Sequence, residues 1–254
     1  RIMTGAFLPE GANAVLRVED TQENGDFIVC TAKINANKDV RFMGEAMQEG
    51  QCILEAGTEI TPAVIGVLAA CKCANPSVFV PATVAILSTG DELEALNAPR
   101  NPLQIPDSNA YALYAQTKSA GANPQLLGIA PDDQNALAAL IQQGLAADIL
   151  LISGGSSVGT HDHVRPILES LNVTLHFWRI SMRPGHPLAF GSLTHASGKK
   201  NLVFGLPGNP VSSMVCFEEY VLPLLRQMNG LSHLFLRTIK ATLGSPFKVN
   251  GGRT

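Results

Sequence analysis

The sequence predicts an α/β fold with a doubly wound, mostly parallel sheet, a small β-rich subdomain before it and the start of a further β domain after it. Between residues 83 and 232, short apolar runs alternate with amphipathic segments, as in strand–helix units. The run at 149–152, Ile-Leu-Leu-Ile, has no polar alternation, which favours a strand buried on both faces of a parallel sheet. Several runs end in loops rich in glycine, hydroxyl or carboxylate side chains, and ligands bind at such strand ends.

The first part of the chain is predicted to contain a β-hairpin. Residues 14–18 and 27–30 read as short strands, joined across Asn24-Gly25, which is a favoured hairpin turn. The predicted division of the whole chain is a β-rich subdomain at 1–41, a helical connecting segment at 42–82, the α/β domain at 83–232 and the start of a truncated C-terminal β domain at 233–254.

Periodicity and capping residues predict the remaining elements. Thr61 is expected to cap a helix that has Pro62 at its first position and ends near Ala70. A strand-like run is expected over 234–243. In the α/β domain, helices are predicted at 108–119, 132–145, 162–171 and 210–228, and strands at 84–88, 125–130, 149–153, 174–179, 187–191 and 201–205.

Composition excludes several classes of protein. With 254 residues, 46% hydrophobic and 15% charged, the chain can bury a globular core. The net charge of −3 and the scattered Lys and Arg argue against nucleic acid as the main partner, and no apolar run approaches the ~18 residues of a membrane span. Five irregularly placed cysteines predict a reducing, cytoplasmic location. The abrupt ends suggest an internal piece of a longer protein.

The segment after the 149–152 run is the strongest candidate for an anion site. Small residues remove side-chain bulk where the strand ends, so backbone N–H groups can face a phosphate. Asp162 follows and is predicted to contact magnesium or substrate. The adjacent His161 and His163 do not predict zinc, because residues two apart on a helix point to different sides. A double glycine is also a common turn solution, so a structural role stays open. The candidate residues are Ser153, Gly154, Gly155, Ser156, Ser157 and Gly159.

Two further loops repeat this arrangement. Asp91 and Glu92 follow a strand end, where carboxylates commonly hold Mg²⁺; alternatively, they form only a solvated helix start. Asn209 can cap a helix that has Pro210 in its first turn, which either only begins the helix or also leaves N–H groups for an oxyanion. The candidate binding residues of these loops are Ser88, Thr89, Gly90, Asp91, Pro207, Gly208, Asn209 and Pro210.

A proline-stiffened turn presents two basic side chains, Arg183 and His186. A guanidinium group binds phosphate or another oxyanion through two parallel hydrogen bonds, whereas imidazole is a weaker, pH-dependent partner. Solvated side chains on a rigid turn are the alternative. Together with the three loops, this turn indicates one cleft for a polar phosphorylated molecule.

Four motifs carry a family resemblance over essentially the whole chain. They are R-I-M-T-G-A at 1–6, S-T-G-D-E-L at 88–93, S-G-G-S-S-V-G at 153–159 and L-P-G-N-P-V-S at 206–212. In this order they resemble the molybdopterin molybdenumtransferases, the MoeA proteins of bacteria, to which the E domain of gephyrin is similar. The resemblance implies a molybdopterin-binding type of α/β domain, shared with the adenylyltransferases that make the substrate.

The resemblance also implies a reaction and a set of residues. Such enzymes insert molybdate into adenylylated molybdopterin with Mg²⁺-dependent release of AMP, and they are homodimers whose partner subunit completes the cleft. Arg183 and His186 occupy the family's K-P-G-K positions, and Pro207 and Pro210 match its L-P-G-N-P loop. The implied catalytic residues are Thr4, Glu92, Asp107 and Asp162, with Glu92 and Asp162 as metal ligands.

Three departures from the family pattern leave other functions open. Residues 44–46 read G-E-A where the family commonly has G-E-D, so Ala46 replaces an acid. His186 replaces a permanent cation, and the family's S-A-M-D-G-Y segment, which lies upstream of Thr4, is absent. This piece alone could therefore bind substrate without turnover. One alternative is the adenylyltransferase, disfavoured because the motifs at 1–6 and 206–212 belong to the molybdenumtransferase pattern. The other is a pterin-binding scaffold that has lost its chemistry, which Ala46 motivates.

Overall fold

A computed structural model describes residues 1–154 and 163–245. The chain forms two compact units, Arg1–Glu55 and Ala56–Thr254. The finer division into four segments stays a prediction. Among the helices of the described residues, none has the length and hydrophobicity needed to cross a membrane.

The first unit contains the predicted hairpin, but its first strand was placed too early. Strands β1 (Thr21–Asn24) and β2 (Phe27–Cys30) pair antiparallel around Gly25, which has a φ of 63°. Residues 14–18 form no strand; Val15 instead donates to the carbonyl of Lys38, and a 3₁₀ turn follows at Val18–Asp20. The sequence of β1, Thr-Gln-Glu-Asn, is polar and largely exposed, so it carries no apolar alternation by which to recognise it.

Helix α1 (Pro62–Ala70) opens the second unit as predicted. The Thr61 hydroxyl accepts from the Val64 N–H at 3.3 Å, and Pro62 occupies the first turn. All nine residues of α1 are apolar or glycine, and none is buried. This helix therefore exposes apolar surface.

The sheet of the second unit confirms the predicted fold class. Its strands are β3 (Thr83–Thr89), β6 (Asn123–Ala130), β7 (Ile149–Ser153), β8 (Thr174–Trp178), β9 (Ala189–Thr194) and β10 (Lys200–Leu206). Their spatial order is β6-β3-β7-β10-β9-β8; the first four are mutually parallel and β9 is antiparallel to both neighbours. A short parallel pair, β4 (Leu93–Glu94) and β5 (Ile105–Pro106), lies between β3 and the next helix.

Two predicted strands differ from the structure. Residues 187 and 188 belong to a turn in which the Leu188 N–H donates to the carbonyl of Gly185, so β9 begins at Ala189. Residues 234–243 form no strand and have no ladder partner in the described part of the chain. Isolated apolar runs predict a strand only where a neighbouring strand exists to pair with.

The helices cover both faces of the sheet. Asp107, Asp133 and Asn209 each cap a helix by accepting an N–H three residues on. The predicted helix at 210–228 is helical throughout, but residues 217–221 widen into a π turn just before Pro223, which lacks an N–H donor. The helices are α2 (Ser108–Ser119), α3 (Gln134–Gly144), α4 (Val164–Ser170), α5 (Pro210–Cys216) and α6 (Leu222–Met228), with the π turn at Phe217–Val221.

Burial on both faces explains why β7 has no polar alternation. Ile149 and Leu151 belong to the apolar cluster on one face, whereas Leu150 and Ile152 belong to the cluster on the other, and each is at most 1% exposed. Fully burying such a side chain contributes about 1.5–3 kcal/mol. The centre of the sheet is therefore a rigid base for the loops at its ends.

A polar contact joins β3 and β7 at their amino ends. The Asp148 carboxylate accepts from the Thr83 backbone N–H at 2.9 Å and from the Thr83 hydroxyl at 2.8 Å, and Lys199 lies 2.9 Å from its other oxygen. Burial alone would raise the pKa of Asp148, but the bonds from Thr83 and Lys199 outweigh it and hold that pKa below its usual value. The contact fixes the parallel alignment of β3 and β7.

Candidate functional site

The strand order reverses between β3 and β7, and this places three loops side by side. The chain moves from β3 to β6 on one side, then returns to β7 on the other. Ser153, the last residue of β7, pairs with Ser88 of β3 and with Leu206 of β10. The carboxyl ends of the three strands therefore share one edge. We call residues 88–92, 153–154 and 206–209 the carboxyl rim.

Gly154 brings the β3 and β7 loops into backbone contact. It has a φ of +90°, and a Cβ at this position would lie 2.6 Å from the carbonyl oxygen of Thr89. Its N–H donates to the carbonyl of Leu206 at 3.2 Å, which ties the same residue to β10. Only glycine fits this junction, since other residues would add both a clash and an unfavourable φ.

The two acids after β3 have different surroundings. Asp91 Oδ1 accepts the Asp132 N–H at 3.0 Å, which fastens the loop to the segment before α3. The Glu92 carboxylate has no hydrogen-bond or ion-pair partner within residues 1–154 and 163–245, although the backbone carbonyl of Glu92 accepts the Ile105 N–H at 2.8 Å. The side chain folds back so that a Cβ on Gly90 would lie 2.6 Å from Oε1. The alternative that these acids begin a helix is wrong, because the chain turns into β4.

Asp107 is buried at the start of α2. Its carboxylate accepts from the Ala110 N–H at 3.1 Å, and its own N–H donates to the carbonyl of Glu94 at 3.0 Å. The predicted catalytic residue thus also caps α2 and connects it to β4. The carboxylate cannot be moved without disturbing the helix start.

Asn109, which sequence reasoning passed over, bridges two loops of the carboxyl rim. Its Nδ2 donates to Ser153 Oγ at 2.8 Å and to the carbonyl of Gly208 at 2.9 Å. Asn109 is the last residue of the P-D-S-N stretch at 106–109, which marks a helix start. An Asn in the first turn of a helix is too common to predict a hydrogen-bonded bridge between two distant loops.

Three of the six buried side-chain oxygens that lack a partner in the described residues lie in or beside the carboxyl rim. Ser88 Oγ, Thr89 Oγ1 and Asn109 Oδ1 are inaccessible to solvent and have no hydrogen-bond partner in the part of the chain that is described. Each such group costs roughly 1–3 kcal/mol, so their presence at a strand edge is typical of a functional site rather than of a core.

The turn with Arg183 and His186 lies at the same edge of the sheet. Strands β8 and β10 both run antiparallel to β9, so β8 also points its carboxyl end toward the rim. Both basic side chains are exposed, and His186 Nδ1 lies 2.7 Å from the carbonyl oxygen of Ile180. Behind the turn, burial raises the pKa of the Cys216 thiol to about 11, so this thiol stays protonated.

Several predicted residues are not placed at the rim. Thr4 lies in the other compact unit, in an exposed turn where Ala6 N–H donates to the carbonyl of Met3. No group of three His, Cys, Asp or Glu in the described ranges is arranged to hold a metal. Five candidates lie outside the described residues: Gly155, Ser156, Ser157, Gly159 and Asp162.

Comparison with known families identifies the type of protein. Residues 85–227 match the family described as a probable molybdopterin binding domain, and residues 1–71 match the MoeA N-terminal region, domains I and II. The chain belongs to the MoeA family. All three rim loops and the Arg183–His186 turn fall inside the first matched segment of this MoeA chain.

Relatives and solved structures agree with this assignment. A molybdopterin molybdenumtransferase from Nostoc sp. is 41% identical over 91% of the chain and 53% of its own length, and one from Haemophilus influenzae is 35% identical over 91% and 56%. A crystal structure of a molybdopterin biosynthesis MoeA protein from Pyrococcus horikoshii has a TM-score of 0.70 and 27% identity, covering 92% of this chain and 55% of that one. The MoeA chain thus spans about half the length of the curated relatives it matches.

Proposed function

We propose that the protein containing this MoeA chain inserts molybdate into adenylylated molybdopterin and releases AMP. The carboxyl rim carries the proposal: loops from three adjacent parallel strands touch through their backbones at the point where the strand order reverses. In open α/β sheets, this is where ligands bind. Glycine at this junction keeps the rim free of side-chain bulk, which a diphosphate approaching the backbone requires.

The basic turn supplies the second half of the proposed site. Arg183 and His186 are exposed at the rim edge, and neither has an acidic partner in the described chain. A guanidinium fork suits a tetrahedral oxyanion such as molybdate. His186 Nδ1 donates to the carbonyl of Ile180, so Nε2 faces away from this contact and can donate to an anion from the imidazolium form of the ring.

A magnesium ion fits the donor set, and we place it on Glu92 and Asp162. Mg²⁺ is usually bound by one or two carboxylates, with waters and phosphate oxygens completing its shell, so a cluster of three protein ligands is not required. The unpartnered Glu92 carboxylate beside Gly90 is suited to this role. When bound, the ion would act as a Lewis acid on the diphosphate. Glu92 would hold the ion, and the rim glycines would leave room for the diphosphate beside it.

We also propose a homodimer that works in the cytoplasm. Helix α1 is wholly apolar and has no buried residue, and exposed apolar surface of this kind favours association. A second copy would cover it.

The proposed reaction is tested by measuring AMP release from adenylylated molybdopterin by the full-length protein. We expect release only when molybdate and Mg²⁺ are both present. Equally fast release without molybdate would reject the assignment. Formation of adenylylated molybdopterin from molybdopterin and ATP would instead indicate the adenylyltransferase, and substrate binding without turnover would indicate the scaffold that Ala46 suggests.

A further inference from the structure

Asn109 joins parts of the chain that are distant in sequence. It is 9% exposed and lies in the first turn of α2. The amide nitrogen has two hydrogens, and its two bonds reach Ser153, 44 residues away, and Gly208, 99 residues away. Both donor positions are therefore used, each on a different loop of the carboxyl rim.

The two bonds link the chain after β7 to the chain after β10, where the ladder between these strands has ended. The ladder between β7 and β10 ends at the pair Ser153 and Leu206, and the last backbone bond across it runs from Gly154 to Leu206. Beyond Leu206, Gly208 approaches Gly154 closely: a Cβ on Gly208 would lie 3.9 Å from the Gly154 Cα. The Asn109 amide holds the Gly208 carbonyl at this point.

The unpaired oxygen of the Asn109 side chain argues that the residue does more than stabilise the fold. Asn109 Oδ1 is buried and has no partner in the described chain, which costs roughly 1–3 kcal/mol. The two hydrogen bonds that Nδ2 donates stabilise the fold by about 0.5–1.5 kcal/mol each, so together they roughly offset this cost. Little net stability is gained, so the main effect of these bonds is the geometry that they impose on the two loops.

We propose that Asn109 is a positioning residue that sets the separation of the Gly154 and Gly208 loops, and so the width of the surface that receives the diphosphate. This inference rests on the proposed function, because it assigns a ligand to the rim. Asn109 acts through the two loops and does not itself need to touch the substrate.

The test compares Asn109→Leu and Asn109→Asp with the unaltered full-length protein in molybdate-dependent AMP release. Leucine and aspartate keep the approximate size of the side chain but cannot donate. We expect KM for adenylylated molybdopterin to rise about tenfold, with kcat changed less than about threefold, because the loops lose their spacing before the chemical step. Circular dichroism at the assay temperature verifies that each variant is folded.

Thr117→Val is the matched control. Thr117 lies on the same helix, is fully buried, and its hydroxyl has no partner in the described residues. We expect unchanged KM and unchanged or higher stability. Ser153→Ala removes only one of the two bonds and should raise KM by a smaller factor, with an effect that does not add to that of Asn109→Leu.

The outcomes separate this inference from the proposed function. If the unaltered protein is active and both Asn109 variants keep its KM within twofold while folded, the positioning role is overturned and the proposed function stands. If Asn109→Leu does not fold, Asn109→Asp alone decides by the same criterion. If the unaltered protein shows no molybdate-dependent release, the proposed function fails and this inference fails with it.

Discussion

Replacing Gly154 with alanine is expected to lower the free energy of unfolding by about 2–5 kcal/mol and to abolish molybdate-dependent AMP release. The φ of +90° is unfavourable for alanine by roughly 1–2 kcal/mol. The added Cβ would also lie 2.6 Å from the Thr89 carbonyl oxygen, and overpacking of this kind costs roughly 1–3 kcal/mol. Relief of the clash requires the β3 and β7 loops to separate, which would open the carboxyl rim.

Gly208→Ala is the control for stability. Gly208 lacks a positive φ, and its nearest neighbour would be 3.9 Å from the new Cβ, which is an ordinary contact. Chemical denaturation of both variants should therefore show a large loss for Gly154→Ala and a change within about 1 kcal/mol for Gly208→Ala. Equal stabilities would contradict the backbone contact between the β3 and β7 loops.

The second large effect is expected from Glu92→Gln. Residues that only orient a metal ligand typically change metal affinity by about 10- to 100-fold when they are replaced. Glu92 is proposed to bind Mg²⁺ directly, so removing its charge should weaken the apparent affinity by about this factor or more. Because the Glu92 carboxylate has no partner within the described ranges, its replacement by an amide should leave stability nearly unchanged. The measurement is the Mg²⁺ concentration that gives half-maximal AMP release.

Glu94→Gln is the control for Glu92→Gln, because it removes the same charge two residues further along the chain. Glu94 Oε2 accepts the Asn101 N–H at 2.9 Å, and glutamine can keep this bond. The half-maximal Mg²⁺ concentration should stay at its original value in Glu94→Gln. An identical Mg²⁺ dependence for Glu92→Gln and the unaltered protein would remove Glu92 from the metal site.

The centre of the fold was predictable because burial leaves a strong mark in the sequence. β3 and β7 are buried on both faces, so they appear as unbroken apolar runs between polar loops. Thr61, Asn209 and the prolines after them mark helix starts because the cap bond is local. For the same reason, the three loops at the strand ends could be expected to meet before their contacts were known.

The features that were missed depend on a polar sequence, on a turn just before a strand or on contacts between distant residues. The polar β1 has no apolar alternation, and β9 starts late because of a turn bond between Leu188 and Gly185. The bridge from Asn109 spans 44 and 99 residues, which no local pattern encodes.

The central claim is that the diphosphate of adenylylated molybdopterin binds at the carboxyl rim. A crystal structure of the full-length protein with this substrate and Mg²⁺ tests it most directly. The account predicts diphosphate density against the backbone of residues 153–154 and 206–209, with the metal ion on Glu92. Density at the amino ends of the strands, beside Asp148, or on any other surface of the Ala56–Thr254 unit would contradict it.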